Sequence, residues 1–174
     1  MADTLSLDIK ASLSWLFEDQ LDLSAISDAA KLEYSEGFAD GTSANQVDKL
    51  WHDERTLTSG FGENLDLTAL TQTIFGSTVT INFAKVKAVL VINTSTTSGD
   101  DLLVGGAGFS GDAWSPPFNG DQTAKVSVPA GSALLLVNKI DGWAVTDGTD
   151  DKLRVENTSG NSVNYRIAIV GTSA

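Results

Sequence analysis

Cysteine is missing from this 174-residue chain. That removes disulfides, thiolate zinc sites and thiol nucleophiles together. There is one histidine, His52, and there are three prolines. A lone histidine leaves a zinc ion with carboxylates for its other ligands, which is a weak set. Bases are also scarce: 11 Lys and Arg stand against 23 Asp and Glu, for a formal charge of −12. Such a surface repels phosphate backbones and anionic membranes, so neither nucleic acid nor membrane is an expected partner. No apolar run approaches the ~20 residues of a bilayer span. The first ten residues, MADTLSLDIK, lack the basic and apolar regions of a signal peptide. The expectation is a soluble protein made in the cytoplasm. The charge is uneven, with −9 in residues 1–54 and −3 in the remainder. The plain reading is a solvated acidic face; the sharper one is an acidic arm that docks on a basic surface.

What the chain does have is alternation. Leu5, Leu7, Ile9, Ala11, Leu13, Trp15 and Phe17 are apolar, and the even positions before Leu16 are polar. Period two means a strand with one wet face and one covered face. At thirteen residues it is long against a usual ~5–6, so it can run past its own sheet and reach a neighbouring subunit. Residues 18–60 are mixed. Ser27–Leu32 has the look of a helix start, Leu32-Glu-Tyr34 alternates like a strand, and Leu50–Leu57 reads as a strand beside the Asp40-Gly41-Thr42 turn. Residues 68–75 predict one short helix stopped by Gly76. From Thr78 onward, short strands follow at spacings of about 8–12 residues with Gly, Asp and Asn turns between them. Val86–Ile92 is nearly all apolar, as in a strand covered on both faces.

The pattern predicts an all-β protein: a jelly-roll-like antiparallel β-sandwich with an extended N-terminal strand or arm and at most one short helix. The chain length suits one domain. It divides into an arm region at 1–60, joined to a sandwich at 61–174.

One motif points elsewhere. Leu102–Gly111 contains Gly106-x-Gly108-x-x-Gly111, the spacing of a dinucleotide fingerprint. That fingerprint needs a helix behind it to hold the pyrophosphate. Here Pro116-Pro117 and Asn119-Gly120 follow instead, and they break helices. The glycines are read as a strand that bends into a loop.

The remaining chemistry is thin. His52 stands beside Asp53 and Glu54, but no motif supplies a nucleophile or an oxyanion site. Asp147–Asp151 and Asp100-Asp101 suggest calcium at first sight; the EF-hand spacing is absent, and Asp-Gly is an ordinary hairpin turn. Paired carboxylates of a glycosidase are a spatial matter, and nothing singles out a pair. The four tryptophans fit core or interface better than a sugar platform. No catalytic residue, cofactor or metal is expected, and the chain does not read as an enzyme.

The order of the later segments is recognisable. It runs Trp51–Leu57, Asn64–Leu67, Phe83–Asn93, Val126–Ser132, Leu134–Leu136, Gly142–Thr146, Leu153–Asn157 and Val163–Gly171. Over residues 50–171 this resembles small β-rich virion proteins of tailed bacteriophages, often jelly rolls that act as capsid decoration or cement proteins. The resemblance rests on strand and turn patterns and carries over no catalytic residue. It implies a subunit on the capsid surface of the virion. Its partners would be the major capsid protein and copies of itself, as a homo-trimer or homo-dimer. The alternative is a tail or fibre component with a carbohydrate- or receptor-binding face. Leu5, Leu7, Ile9, Leu13 and Trp15 of the first strand, with Trp114 and Phe118 of the Pro-rich loop, are the expected interface residues.

Overall fold

A computed structural model describes residues 4–20, 24–74, 76–106 and 112–174. The alternating N-terminal segment forms β1 (Leu7–Gln20), which pairs antiparallel with β2 (Ala25–Asp40) from Leu7↔Phe38 to Gln20↔Ala25. The helix expected from Ser27 is therefore absent: those residues lie within β2. Ala-Ala-Lys-Leu favours helix on propensity alone, but fourteen cross-strand partners on β1 outweigh it. A short β3 (Gln46–Val47) lies parallel to the end of β2.

The rest is built from β4 (Lys49–Leu57), β5 (Gly62–Asp66), β6 (Leu70–Ile74), β7 (Ser77–Ile81), β8 (Lys85–Asn93), β9 (Leu102–Gly105), β10 (Lys125–Val128), β11 (Ala133–Val137), β12 (Trp143–Ala144), β13 (Lys152–Asn157) and β14 (Val163–Thr172). One sheet has the order β11-β8-β14-β4, with β12 added beside β8; the other has the order β10-β9-β13-β5. The pairs β4·β14, β5·β13, β8·β11 and β9·β10 are all antiparallel. The first half of the body thus folds back on the second as one long ribbon. Rolling that ribbon sends alternate strands to opposite sheets, which is the jelly roll. The expected architecture is present. β4 lies inside the first sheet, so the sandwich takes in residues N-terminal to 61.

The helix expected over 68–75 is also replaced. Leu70–Ile74 pairs with Ser77–Ile81 as a hairpin. Leu70 and Ile81 enter the main core, and Trp51 Nε1–H donates to the Thr71 carbonyl at 3.0 Å. Among the described residues, helical structure reduces to a single 3-10 turn, Pro116–Phe118. The glycine segment bends as expected at its start: Gly105 has φ 104°, and a Cβ there would meet the Ala124 carbonyl oxygen at 2.6 Å. Residues 107–111, which include Gly108 and Gly111, lie outside the described residues.

The core fills the space between the sheets. β13 and β14 alternate buried and less buried positions, with Leu153, Val155, Tyr165, Ile167 and Ile169 turned inward. Trp51, Phe83 and Trp114 are its largest apolar members. Two asparagines tie together the loops at one end of the sandwich. Asn93 Nδ2–H donates to the carbonyls of Asp100 (2.7 Å) and Val128 (3.0 Å), and Asn157 Nδ2–H to those of Leu57 (3.0 Å) and Asn161 (2.7 Å). Buried amides with such partners fix the loops to one arrangement.

Candidate docking surface

Side chains of paired antiparallel residues share a face. On one face of the β1–β2 ribbon lie Leu7, Ile9, Ala11, Leu13, Trp15 and Phe17, opposite Phe38, Glu36, Tyr34, Leu32, Ala30 and Asp28. The other face carries Asp8, Lys10, Ser12, Ser14 and Glu18, opposite Gly37, Ser35, Glu33, Lys31 and Ser27. The ribbon is thus two-faced, with Glu36 and Asp28 as exceptions on the apolar side and Leu16 and Ala29 on the polar side.

The base of the apolar face is covered. Leu5, Leu7 and Ile9 pack with Leu50 and Val137 against buried Phe38, Val47, Ala88 and Val170. These body residues form one row across the outer face of the first sheet: Val137, Ala88, Val170 and Leu50 lie side by side in register. Polar contacts pin the same place. Lys139 Nζ pairs with Glu36 at 2.5 Å and lies 6.0 Å from the Phe38 ring centroid, and Leu5 N–H donates to Asp40 at 2.9 Å.

Beyond that row the ribbon leaves the body. All described side chains from Ala11 to Asp19 and from Ser24 to Ser35 are exposed. Leu13 is 64%, Trp15 44%, Phe17 70%, Ile26 62%, Leu32 66% and Tyr34 41% exposed. A two-stranded ribbon is marginal on its own in water. A contiguous exposed apolar strip of this kind makes the distal ribbon the candidate docking surface.

The outer face of the body sheet is also left partly bare. The next row is Leu135, Leu90, Ala168 and His52; the one after is Ala133, Ile92, Arg166 and Glu54. Two shallow grooves run over these rows. One, of about 260 Å³, lies between the arm's Leu7 and Ile9 and the body's Leu90, Leu135 and Ala168. The other, of about 290 Å³, lies between Leu90, Ile92 and Ala168 on its apolar side and His52, Glu54 and Arg166 on its polar side. Arg166 Nε–H donates to Glu54 at 2.9 Å, which neutralises that rim.

The expected interface residues divide into three groups. Leu5, Leu7 and Ile9 sit against the chain's own body, and Leu13 and Trp15 face solvent. Trp114 is 1% exposed; its ring packs edge-on against Trp143 at 6.0 Å and its Nε1–H donates to the Ala144 carbonyl. The core holds it, because β13 pairs its segment through Trp114 N–H to Lys152 O. It therefore offers no ring to a partner or a sugar. Phe118 is half-buried in the 3-10 turn, against the bend at Gly105. The residues missed by sequence reasoning are those of β2: Ile26, Leu32 and Tyr34. Their signal was the even-numbered alternation from Ile26 to Phe38, broken only by Asp28 and Glu36.

The other candidate chemistry is used in structure. Asp151 is fully buried; its carboxylate accepts from Gly148 N–H at 2.9 Å and Lys152 Nζ at 3.1 Å. Asp150 accepts from the Ser115 hydroxyl at 2.8 Å. The Asp100 carboxylate accepts from Asn161 and Ser95, and these hydrogen bonds hold it below the ordinary carboxylate range. Between the sheets, Tyr165 donates to Glu63 at 2.8 Å, and Arg55 Nε–H donates to the same carboxylate at 2.7 Å. Burial, with the negative charge of Glu63, pushes the Tyr165 hydroxyl above its usual range. Among the described residues no three His, Asp or Glu side chains gather as a metal site.

No protein-family model matches the sequence, and no curated protein matches it either. Among solved structures, a chain of one described as "Cyanophage Pam1 capsid asymmetric unit" is similar, at 19% identity and a TM-score of 0.36. The similarity covers 75% of this chain and 86% of that one.

Proposed function

We propose that this chain is a structural subunit of a phage virion, one that decorates the head and works by assembly. One observation carries the reading: a long two-faced arm whose apolar face, beyond Ile9, is left without cover among the described residues. Folding alone leaves that face in water, and association removes it from water at roughly 25 cal/mol per Å² before the costs of association. The jelly-roll body and the resemblance of residues 50–171 to phage decoration proteins support the same role. On this reading the chain is made in the host cytoplasm and acts on the capsid surface without catalysis. Its head-side partner is the major capsid protein. Many weak contacts on a symmetric shell add up by avidity.

The test uses heads assembled without this chain. Added wild-type protein is expected to co-sediment with them at saturable, symmetric occupancy. Leu13→Asp combined with Trp15→Asp is expected to abolish that occupancy while the protein stays folded. Full occupancy by the double variant, or no binding by the wild type, sinks the proposal.

A further inference from the structure

We infer that the free half of the arm is covered by a second copy of this chain: its apolar face lies on the uncovered rows of that copy's outer sheet face. The inference rests on the assembly role proposed above, but not on the head as the place where assembly occurs.

The chain already contains one instance of the contact. At its base the arm's apolar face sits on the row Val137, Ala88, Val170 and Leu50 of that sheet. What remains is the second half of each surface. The arm continues with Leu13, Trp15, Leu32 and Tyr34, and the sheet continues with Leu135, Leu90, Ala168 and Ile92. The arm cannot use its own sheet for this, because it leaves the body after Ile9. A copy of the same chain offers both missing halves at once. Exchange around a closed ring covers every arm and every sheet face, and no apolar strip is left over.

Area and the make-up of the receiving face agree with this. The exposed fractions of the six large side chains on the arm's free face correspond to roughly 650 Å². A standard interface buries about 800 Å² per partner. In an exchange each copy contributes an arm and also receives one, so the buried surface passes that mark. The receiving rows are apolar at their centre and carry the paired Arg166 and Glu54 at one side. An apolar middle with a neutral polar rim is the ordinary anatomy of a protein interface.

Absence of cysteine makes the test clean. Light scattering on the purified full chain is expected to give a small multiple of 18.3 kDa. The arm variant Leu13→Asp/Trp15→Asp and the face variant Ala168→Glu should each lose the closed oligomer. Mixed together, they should form a one-to-one heterodimer, because one has a good face and the other a good arm. Cysteines then locate the contact. Pairs combining Leu13→Cys or Leu32→Cys with Ile92→Cys or Ala168→Cys should yield disulfide-linked chains under oxidation. Unfolding curves matching the wild type show that each variant is folded; Ile92→Lys replaces Ala168→Glu if the latter is not. A wild-type chain that stays monomeric overturns the inference, even where it binds heads. So does an oligomer in which Leu13→Cys alone cross-links efficiently, since that reports arm on arm. Oligomers that form normally but do not bind heads would leave the inference standing and remove the head.

Discussion

Gly171 shows how closely single residues are constrained in this sandwich. It sits where the β8–β14 register slips, between Val170↔Ala88 and Gly171↔Val86, so that Lys87 is the extra residue of a bulge. A Cβ on Gly171 would stand 2.0 Å from the Lys85 carbonyl oxygen. Backbone cannot yield at that distance, so Gly171→Ala should destabilise the protein by about 2–3 kcal/mol. For a domain of this size that lowers the melting temperature by about 4–12 °C, which calorimetry will read. The carboxylates give a pH dependence of definite sign. Hydrogen bonds from Asn161 and Ser95 depress the pKa of Asp100, and the bond from Lys125 depresses that of Glu156. At Asp66, burial works upward, but bonds from Lys152 and Thr68 outweigh it. A depressed carboxylate stabilises the fold above its unfolded pKa of about 4 and stops doing so as pH falls below that. Urea midpoints should therefore be flat from about pH 7 to 5 and fall below about pH 4. Asp100→Asn should lower the midpoint at pH 7, and its difference from wild type should shrink as pH drops. A difference that stays constant to pH 3 would refute this. The bulge itself had no sequence signal, because a glycine late in a strand marks many kinds of irregularity.

At the scale of elements, the arm separates into a part that stabilises the fold and a part that does not. Phe38 is 3% exposed at the base, within the cluster that joins arm to body. Phe38→Ala should cost about 3 kcal/mol. Lys139→Ala removes a half-exposed ion pair at the same place and should cost less than about 1 kcal/mol. Thermal unfolding of the two variants side by side checks the order. The legibility of the elements follows the same physics. β1 was readable because its alternation runs unbroken from Leu5 to Trp15. β2 was not, because Ala29-Ala30-Lys31-Leu32 has good helix formers and its strand state is imposed by pairing with β1. β6 was missed for a like reason: Thr68–Phe75 is short and its strand state depends on a hairpin with β7. The run of short strands from Thr78 onward was legible, because turn residues separate them. Of the docking surface, the β1 side was legible and the β2 side was not. Trp114 was misplaced because a Pro- and Gly-flanked aromatic reads as a loop residue.

For the whole molecule, the order of strands could be counted but their nesting could not. Nothing in β4 announces that it pairs with β14, more than a hundred residues later. The same nesting makes the body self-sufficient. Its main cluster, from Trp51 to Ile169, contains no residue of β1 or β2. The distal arm adds acidic polar residues and an apolar strip but, among the described residues, no buried side chain. Cutting the ribbon back should thus leave the body almost unaffected. Replacing residues 12–33 by Asn-Gly keeps the Ala11↔Tyr34 pair and closes it with a favourable two-residue turn. The base contacts of Leu7, Ile9 and Phe38 are retained. The shortened chain should unfold cooperatively within a few degrees of the wild type. It should also be monomeric and unable to occupy heads. A fall of more than about 10 °C would mean that the distal ribbon supports the body, which would refute the division of labour between a self-contained roll and an arm completed by assembly.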